Sequence, residues 1–165
     1  MPIFSEYSNY DGIGLAELIR KKDISAIDAL DSAIDLIEKL NPKLNAVHRT
    51  MYHYATESIN RNQDMQGIFA GIPMLLKDMD SSLANYPMMQ GSNYLKDTVM
   101  PYDNYLTKSF RKSGALICGK SATPEYGLAI TTEPLAFGAT RNPWNLNKST
   151  GAVSYTHLTL PTTYG

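Results

Sequence analysis

One lysine stands at the end of a short apolar run, where its amine could do chemistry. The run reads Gly71-Ile72-Pro73-Met74-Leu75-Leu76-Lys77-Asp78 and begins with a Gly/Pro turn signal. This pattern predicts a buried strand that ends at Lys77. A lysine amine held in a pocket of low dielectric has a lowered pKa and can act as a base. Taken alone, the octapeptide favours the simpler interpretation that Lys77 is solvated at a strand end.

Composition and charge limit the class of protein. The chain has 165 residues, of which 43% are hydrophobic and 19% charged, and this favours one globular domain. Its net charge is −1 and it has no basic run, so we expect no direct nucleic-acid partner. Cys118 is the only cysteine, which is typical of a reducing compartment. We find no signal-peptide pattern and no apolar run of membrane-spanning length, and therefore predict a cytoplasmic protein without a membrane partner.

Hydrophobic periodicity predicts the elements that must position Lys77. Residues 11–41 have the pattern of a helical hairpin, in which Ser25 and Asp28 form a capping box and Asn41-Pro42 ends the second helix. A short strand at 44–47 and a helix at about 52–62 follow. The strand ending at Lys77, a helix opening near Asp103 and a strand at 115–119 predict a parallel βαβ unit. A long loop, 78–100, and an irregular segment, 121–144, complete the chain.

Several short motifs occur in a fixed order over roughly half of the chain. They are G-I-P-M-L-L-K-D at 71–78, G-S at 91–92, Y-D at 102–103, S-G-A-L-I-C-G-K-S-A-T-P-E-Y-G at 113–127 and T-E-P-L-A-F-G-A-T-R-N-P-W at 132–144. Each is weak alone, but their order and spacing resemble the amidase signature family. The last run and the opening D-G-I-G-L-A-E-L at 11–18 are most similar to the branch that includes 6-aminohexanoate-cyclic-dimer hydrolase.

This resemblance implies a fold and a chemistry. The fold is α/β, a mixed sheet flanked by helices with an N-terminal helical region, here truncated. The family hydrolyses small-molecule amides without a cofactor or metal, through a Ser–cis-Ser–Lys triad. In that triad a neutral, buried lysine takes a proton through a bridging serine from the nucleophilic serine. Lys77 matches the family's catalytic lysine.

The sequence departs from the family pattern after residue 150. Where the family carries Gly-Gly-Ser-Ser-Gly-Gly, residues 151–156 read Gly-Ala-Val-Ser-Tyr-Thr. Val153 falls at the bridging-serine position, and Ser154 at its neighbour. The bridging serine and the nucleophile are therefore expected to be absent, and this chain by itself is expected to be inactive. We interpret residues 1–150 as the N-terminal part of an amidase domain and 151–165 as an aberrant tail similar to translated sequencing-adapter sequence, the alternatives being a frameshift or a diverged terminus.

Two other functions stay open at this point. One is the A subunit of a glutamyl-tRNA(Gln)-type amidotransferase, which would need partner subunits and ATP. The other is a decayed fragment without catalysis. The sequence identifies neither the amide substrate nor the oligomeric state.

Other residues have structural interpretations. We expect Lys120 to be structural rather than a base, Cys118 to be a buried small hydrophobe and Trp144 to anchor the core. Asp78 should point away from Lys77 or cap the turn. His48, His53 and His157 show no ligand spacing. Three side chains of the long loop are candidates for lining a substrate cleft, with ordinary packing as the alternative: Met88, Met89 and Tyr94.

Overall fold

Two capped α-helices follow a short 3₁₀ helix, Tyr7–Asn9, in the first part of the fold. The computed structural model describes residues 4–61 and 66–151. Helix α1 spans Gly12–Lys21, and Asp11 caps it by accepting a hydrogen bond from the Gly14 amide at 2.8 Å. Helix α2 spans Ala26–Leu44 and begins with the predicted capping box, in which Ser25 and Asp28 each accept a hydrogen bond from the other's backbone N–H. These contacts satisfy amides that have no partner within the helix.

Helix α2 runs through Asn41-Pro42, so the predicted end at that pair is wrong. Pro42 lies in the last turn, where a proline removes only one helical hydrogen bond. The helix ends instead at Asn45, which has a left-handed φ of 50° and donates to the Asn41 carbonyl at 2.8 Å. The Asn41 side chain then accepts from the Ala46 and Val47 amides, each at 2.8 Å. This side chain completes the cap that joins the helix to the first strand.

A three-stranded sheet forms the centre of the fold. Its strands are β1 (Val47–Thr50), β2 (Pro73–Lys77) and β3 (Leu116–Ser121), in the order β1-β3-β2. Strands β2 and β3 are parallel and are connected through helix α4 (Tyr105–Lys112), so the predicted βαβ unit is confirmed. Strand β1 pairs antiparallel with β3. It begins later than the predicted strand at 44–47, because α2 occupies residue 44.

Helix α3 and the two faces of the sheet form the core. Helix α3 spans Tyr52–Asn60, within the predicted range. Neighbouring residues of one strand point to opposite faces. On one face, Leu76 packs with Ile117, Met51 and Leu83. On the other, Leu75 packs against a cluster of Cys118, Leu30 and Ala55. Cys118 is 2% exposed and forms no disulfide, which confirms its prediction as a buried small hydrophobe.

A small hairpin closes the described part of the chain. Strands β4 (Arg141–Asn142) and β5 (Asn145–Ser149) pair antiparallel. Trp144 lies in the turn between them and is 91% exposed, so its prediction as a core anchor is wrong. Its amide donates to the Asn142 side chain at 2.9 Å, which fixes the turn while no core element covers the indole. Across residues 4–61 and 66–151, no helix is long and apolar enough to cross a membrane.

Candidate active site

Lys77 is the last residue of β2 and faces solvent. It lies opposite Ser121 in the parallel register with β3. Its carbonyl accepts a hydrogen bond from the Ser81 hydroxyl, so the backbone on its C-terminal side is tied to the next turn. Leu76 before it and Asp78 after it are 1% and 0% exposed, whereas the Lys77 side chain is exposed. The described residues therefore fix where the amine leaves the sheet but do not bury it.

Asp78 is the most highly connected side chain near Lys77. One carboxylate oxygen, Oδ1, accepts a hydrogen bond from Nζ of Lys120 at 3.2 Å. The other, Oδ2, accepts from the Met89 amide at 3.0 Å and lies 3.1 Å from Nε2 of His48. Asp78 is thus buried while Lys77 is exposed, and this agrees with the prediction that the two point in opposite directions. The carboxylate joins β1, β3 and the long loop.

The Asp78–Lys120 ion pair has no exposed surface on either side chain. Burial lowers the pKa of Lys120, and the negative charge of Asp78 opposes that shift. A buried charge without a partner costs several kcal/mol, about the scale of a whole domain's stability. Lys120 therefore serves as the counter-ion of Asp78, in keeping with the structural role predicted for it.

His48 completes this buried cluster from β1. Its side chain is 3% exposed, and its ring stacks on Phe137 with centroids 4.6 Å apart. Nε2 forms no hydrogen bond despite its 3.1 Å separation from Asp78, because proximity alone does not give the required geometry. The sheet thus places a titratable ring against the carboxylate that follows Lys77.

The Gly-Ser motif at 91–92 holds the long loop against the segment after β3. Gly91 has a φ of 72°, and a Cβ there would lie 2.8 Å from the Thr123 carbonyl oxygen. The Gln90 carbonyl accepts from the Tyr126 amide at 2.8 Å, and the Gln90 amide donates to the Asp78 carbonyl at 3.1 Å. The Tyr126 hydroxyl also donates a hydrogen bond to Ser92 at 3.0 Å. The motifs at 77–78, 91–92 and 120–127 are therefore one contiguous assembly.

A sequence model of the family described as Amidase matches residues 28–154. The chain belongs to the amidase signature family. This result confirms the resemblance predicted from the ordered motifs, and the solved relatives confirm the predicted α/β fold class.

Similar proteins in this family are much longer than this chain. The 6-aminohexanoate-cyclic-dimer hydrolase of Paenarthrobacter ureafaciens is 38% identical over 151 residues, which cover 87% of this chain and 29% of that protein. A solved structure of 6-aminohexanoate cyclic dimer hydrolase is 35% identical, with a TM-score of 0.81 over 87% of this chain and 29% of its own. The A subunit of the glutamyl-tRNA(Gln) amidotransferase of Carboxydothermus hydrogenoformans is 31% identical over 147 residues, which cover 85% of this chain and 30% of that subunit. This chain spans under a third of their length.

Two predicted parts of the site stay predictions. In the long loop, Met89 is 9% exposed and contacts Arg49, whereas Tyr94 is 88% exposed. These two side chains do not form a common wall, and a substrate cleft in this loop stays a prediction. Val153 and Ser154, which bear on the bridging serine, lie outside the described residues. Within the described residues, no three His, Cys, Asp or Glu side chains are grouped as metal ligands would be.

Sequence reasoning missed the partners of Asp78. His48 carried no local signal, because its contact with Asp78 joins two strands that are not adjacent in the sheet. The sequence did contain a pattern that could have predicted the Asp78–Lys120 pair. Parallel strands end at the same edge of a sheet, and both residues lie at the end of a predicted parallel strand. In the observed register Lys120 is opposite Leu76, which brings it next to Asp78.

Proposed function

We propose that this chain belongs to an amidase that hydrolyses the C–N bond of a small linear or cyclic amide, with Lys77 as the base of a Ser–cis-Ser–Lys triad. The observation that supports this most is the position of Lys77. It is the one charged residue of β2, it lies at the end of the strand, and the buried Asp78 immediately after it fixes the backbone. The resemblance of the 71–78 motif to the family's lysine motif gives this amine its proposed role.

The proposed chemistry needs a neutral amine. Lys77 Nζ takes a proton from the bridging serine, which takes one from the nucleophilic serine as that oxygen attacks the amide carbonyl. The proton then passes from Lys77 through the bridging serine to the amide nitrogen, and the tetrahedral intermediate releases a neutral amine and leaves an acyl-enzyme. Water gives up a proton along the same path as it hydrolyses the acyl-enzyme to the carboxylic acid, and the nucleophilic serine is restored. Burial disfavours the charged form of a lysine. We therefore propose that in a full-length amidase the part that corresponds to the remaining length of the relatives covers Lys77.

The substrate class follows from the more similar relatives. Identity is 38% with a hydrolase named for a cyclic dimer and 31% with one component of an amidotransferase, which favours the hydrolase. An amidotransferase role would require partner subunits and ATP. The net charge of −1 gives no support for direct tRNA binding by this part of the protein. A cytoplasmic location is part of the same proposal and is supported by the single, unpaired Cys118.

A chimera tests this proposal directly. Residues 4–150 would replace the matching segment of 6-aminohexanoate-cyclic-dimer hydrolase, so that the relative supplies everything after Thr150. We expect the chimera to hydrolyse the cyclic dimer and to lose that activity in Lys77→Met. Lys96→Met is the matched control, since Lys96 is also exposed but lies in the long loop. A folded chimera without activity contradicts the proposal, as does an active Lys77→Met variant.

The 165-residue chain by itself is proposed to be inactive. Val153 stands where the family's bridging serine is expected, and without that hydroxyl the proposed proton path to Lys77 is broken. Purified chain should therefore release no product from the cyclic dimer or from simple linear amides. Turnover that disappears in Lys77→Ala would refute this. Glutamine hydrolysis that requires ATP and added partner subunits would favour the amidotransferase.

A further inference from the structure

Three separate parts of the chain meet at Asp78. Lys120 comes from β3, His48 from β1, and Met89 from the long loop, and their nitrogen atoms lie 3.0–3.2 Å from the two carboxylate oxygens. The Asp78 backbone is held as well, since its amide donates to the Ser121 carbonyl at 3.2 Å. The residue directly after Lys77 is therefore fixed through both its side chain and its main chain.

The ion pair is poorly explained by stability alone. Both side chains have 0% exposure, so each charge is fully removed from water. Replacing a buried ion pair by neutral side chains of similar volume is often neutral or stabilising, whereas removing one partner is strongly destabilising. A buried pair can instead select one geometry among alternatives. This ion pair would select the backbone conformation at the end of β2, one peptide bond from Lys77.

We propose that Asp78 and Lys120 together are the positioning residues of Lys77. Lys120 holds the Asp78 carboxylate on the face of the sheet that carries Leu76, and alternation along the strand then directs the Lys77 amine to the opposite face. The same carboxylate, through the Met89 amide, sets the distance between β2 and the loop segment 88–92. This inference rests on the proposed function, because it assigns a purpose to the position of the proposed base.

The chimera with cyclic-dimer hydrolase tests the inference through two single variants and their combination. Asp78→Asn and Lys120→Met should each lower kcat about 100-fold, the usual cost of displacing a reacting group by about 1 Å, with KM within about threefold. Each should also lower Tm by about 10 °C, because a buried charge loses its partner. The double variant Asp78→Asn/Lys120→Met removes both charges and should recover most of the Tm that each single variant loses. Its kcat should stay low.

The double variant separates positioning from folding. If the pair only holds the fold together, kcat recovers with Tm, and the inference is overturned. It is also overturned if either single variant keeps kcat within threefold of the parent per folded molecule. Should a single variant not fold, the double variant decides by the same criterion. Lys96→Met and Asp97→Asn, at adjacent exposed positions of the long loop, are the matched controls and should keep kcat and Tm.

The same experiment distinguishes this inference from the proposed function. If Lys77→Met keeps its activity, Lys77 is not the base and the proposed function fails. If Lys77→Met is inactive while Asp78→Asn keeps its kcat, the proposed function stands and only the positioning role is lost.

Discussion

Nζ of Lys120 lies 3.2 Å from Oδ1 of Asp78, and neither side chain has any exposed surface. The contact joins the C-terminal ends of two parallel strands, β2 and β3. It also adjoins Lys77, the residue on which the proposed chemistry depends.

Lys120→Met should strongly destabilise the 165-residue chain. The variant leaves the Asp78 carboxylate buried without its counter-ion, which costs about 3–5 kcal/mol in the free energy of unfolding. Urea unfolding followed by circular dichroism measures the difference. Lys108→Met, on the exposed side of α4, is the matched control and should change the value by less than about 0.5 kcal/mol. A loss below about 1 kcal/mol in Lys120→Met would mean that the pair is not held as the structure shows.

Gly91→Ala should also destabilise the chain. Its φ of 72° disfavours a side chain, and the new Cβ would lie 2.8 Å from the Thr123 carbonyl oxygen. Strain and overpacking together should lower the free energy of unfolding by about 2–4 kcal/mol in the same urea experiment. Gly12→Ala is the control, since its Cβ would first meet Phe69 at 3.5 Å, and it should change stability by less than about 1 kcal/mol. Equal stabilities of the two variants would be evidence against the close packing of Gly91 on residues 123–127.

Cys118 should make stability depend on pH in the alkaline range. Burial raises the pKa of its thiol from 9.0 to about 11. The folded state therefore binds more protons than the unfolded state between these values, and stability present below pH 9 is lost as the pH rises toward 11. From pH 8.5 to 10.5 the wild type should lose about 2 kcal/mol more than Cys118→Ala. Urea titrations at both pH values measure the loss of stability. Equal losses in the wild type and Cys118→Ala would refute the raised pKa of the Cys118 thiol.

The parts of the fold that the sequence predicted correctly depend on local signals. Ser25 and Asp28 are three residues apart, so the start of α2 could be located from a short window. The end of α2 could not, because the Asn41 side chain makes its cap with Ala46 and Val47 and so outweighs the proline signal. The βαβ unit was predictable because two apolar runs flank an amphipathic helix that ends before Gly114.

The parts of the site that could not be predicted depend on contacts between distant segments. His48 is 30 residues from Asp78 in sequence, and only the strand order brings them to 3.1 Å. Trp144 is a large aromatic residue of the kind that usually packs in a core, yet its position in a hairpin turn leaves it exposed. The motif predicted the position of Lys77 at a strand end, but the burial of its amine depends on neighbours outside β2 and β3. In the described residues those neighbours leave it exposed.

The kcat of the chimera with cyclic-dimer hydrolase after Lys77→Met, measured beside Lys96→Met, tests the role of Lys77 most directly. Methionine keeps most of the side-chain volume and removes the amine, so proton transfer by this side chain is lost. We predict a fall in kcat of about 10³-fold or more in Lys77→Met and less than about twofold in Lys96→Met. If Lys77→Met hydrolyses the cyclic dimer within about tenfold of the parent chimera, Lys77 is not the base and the central claim is wrong.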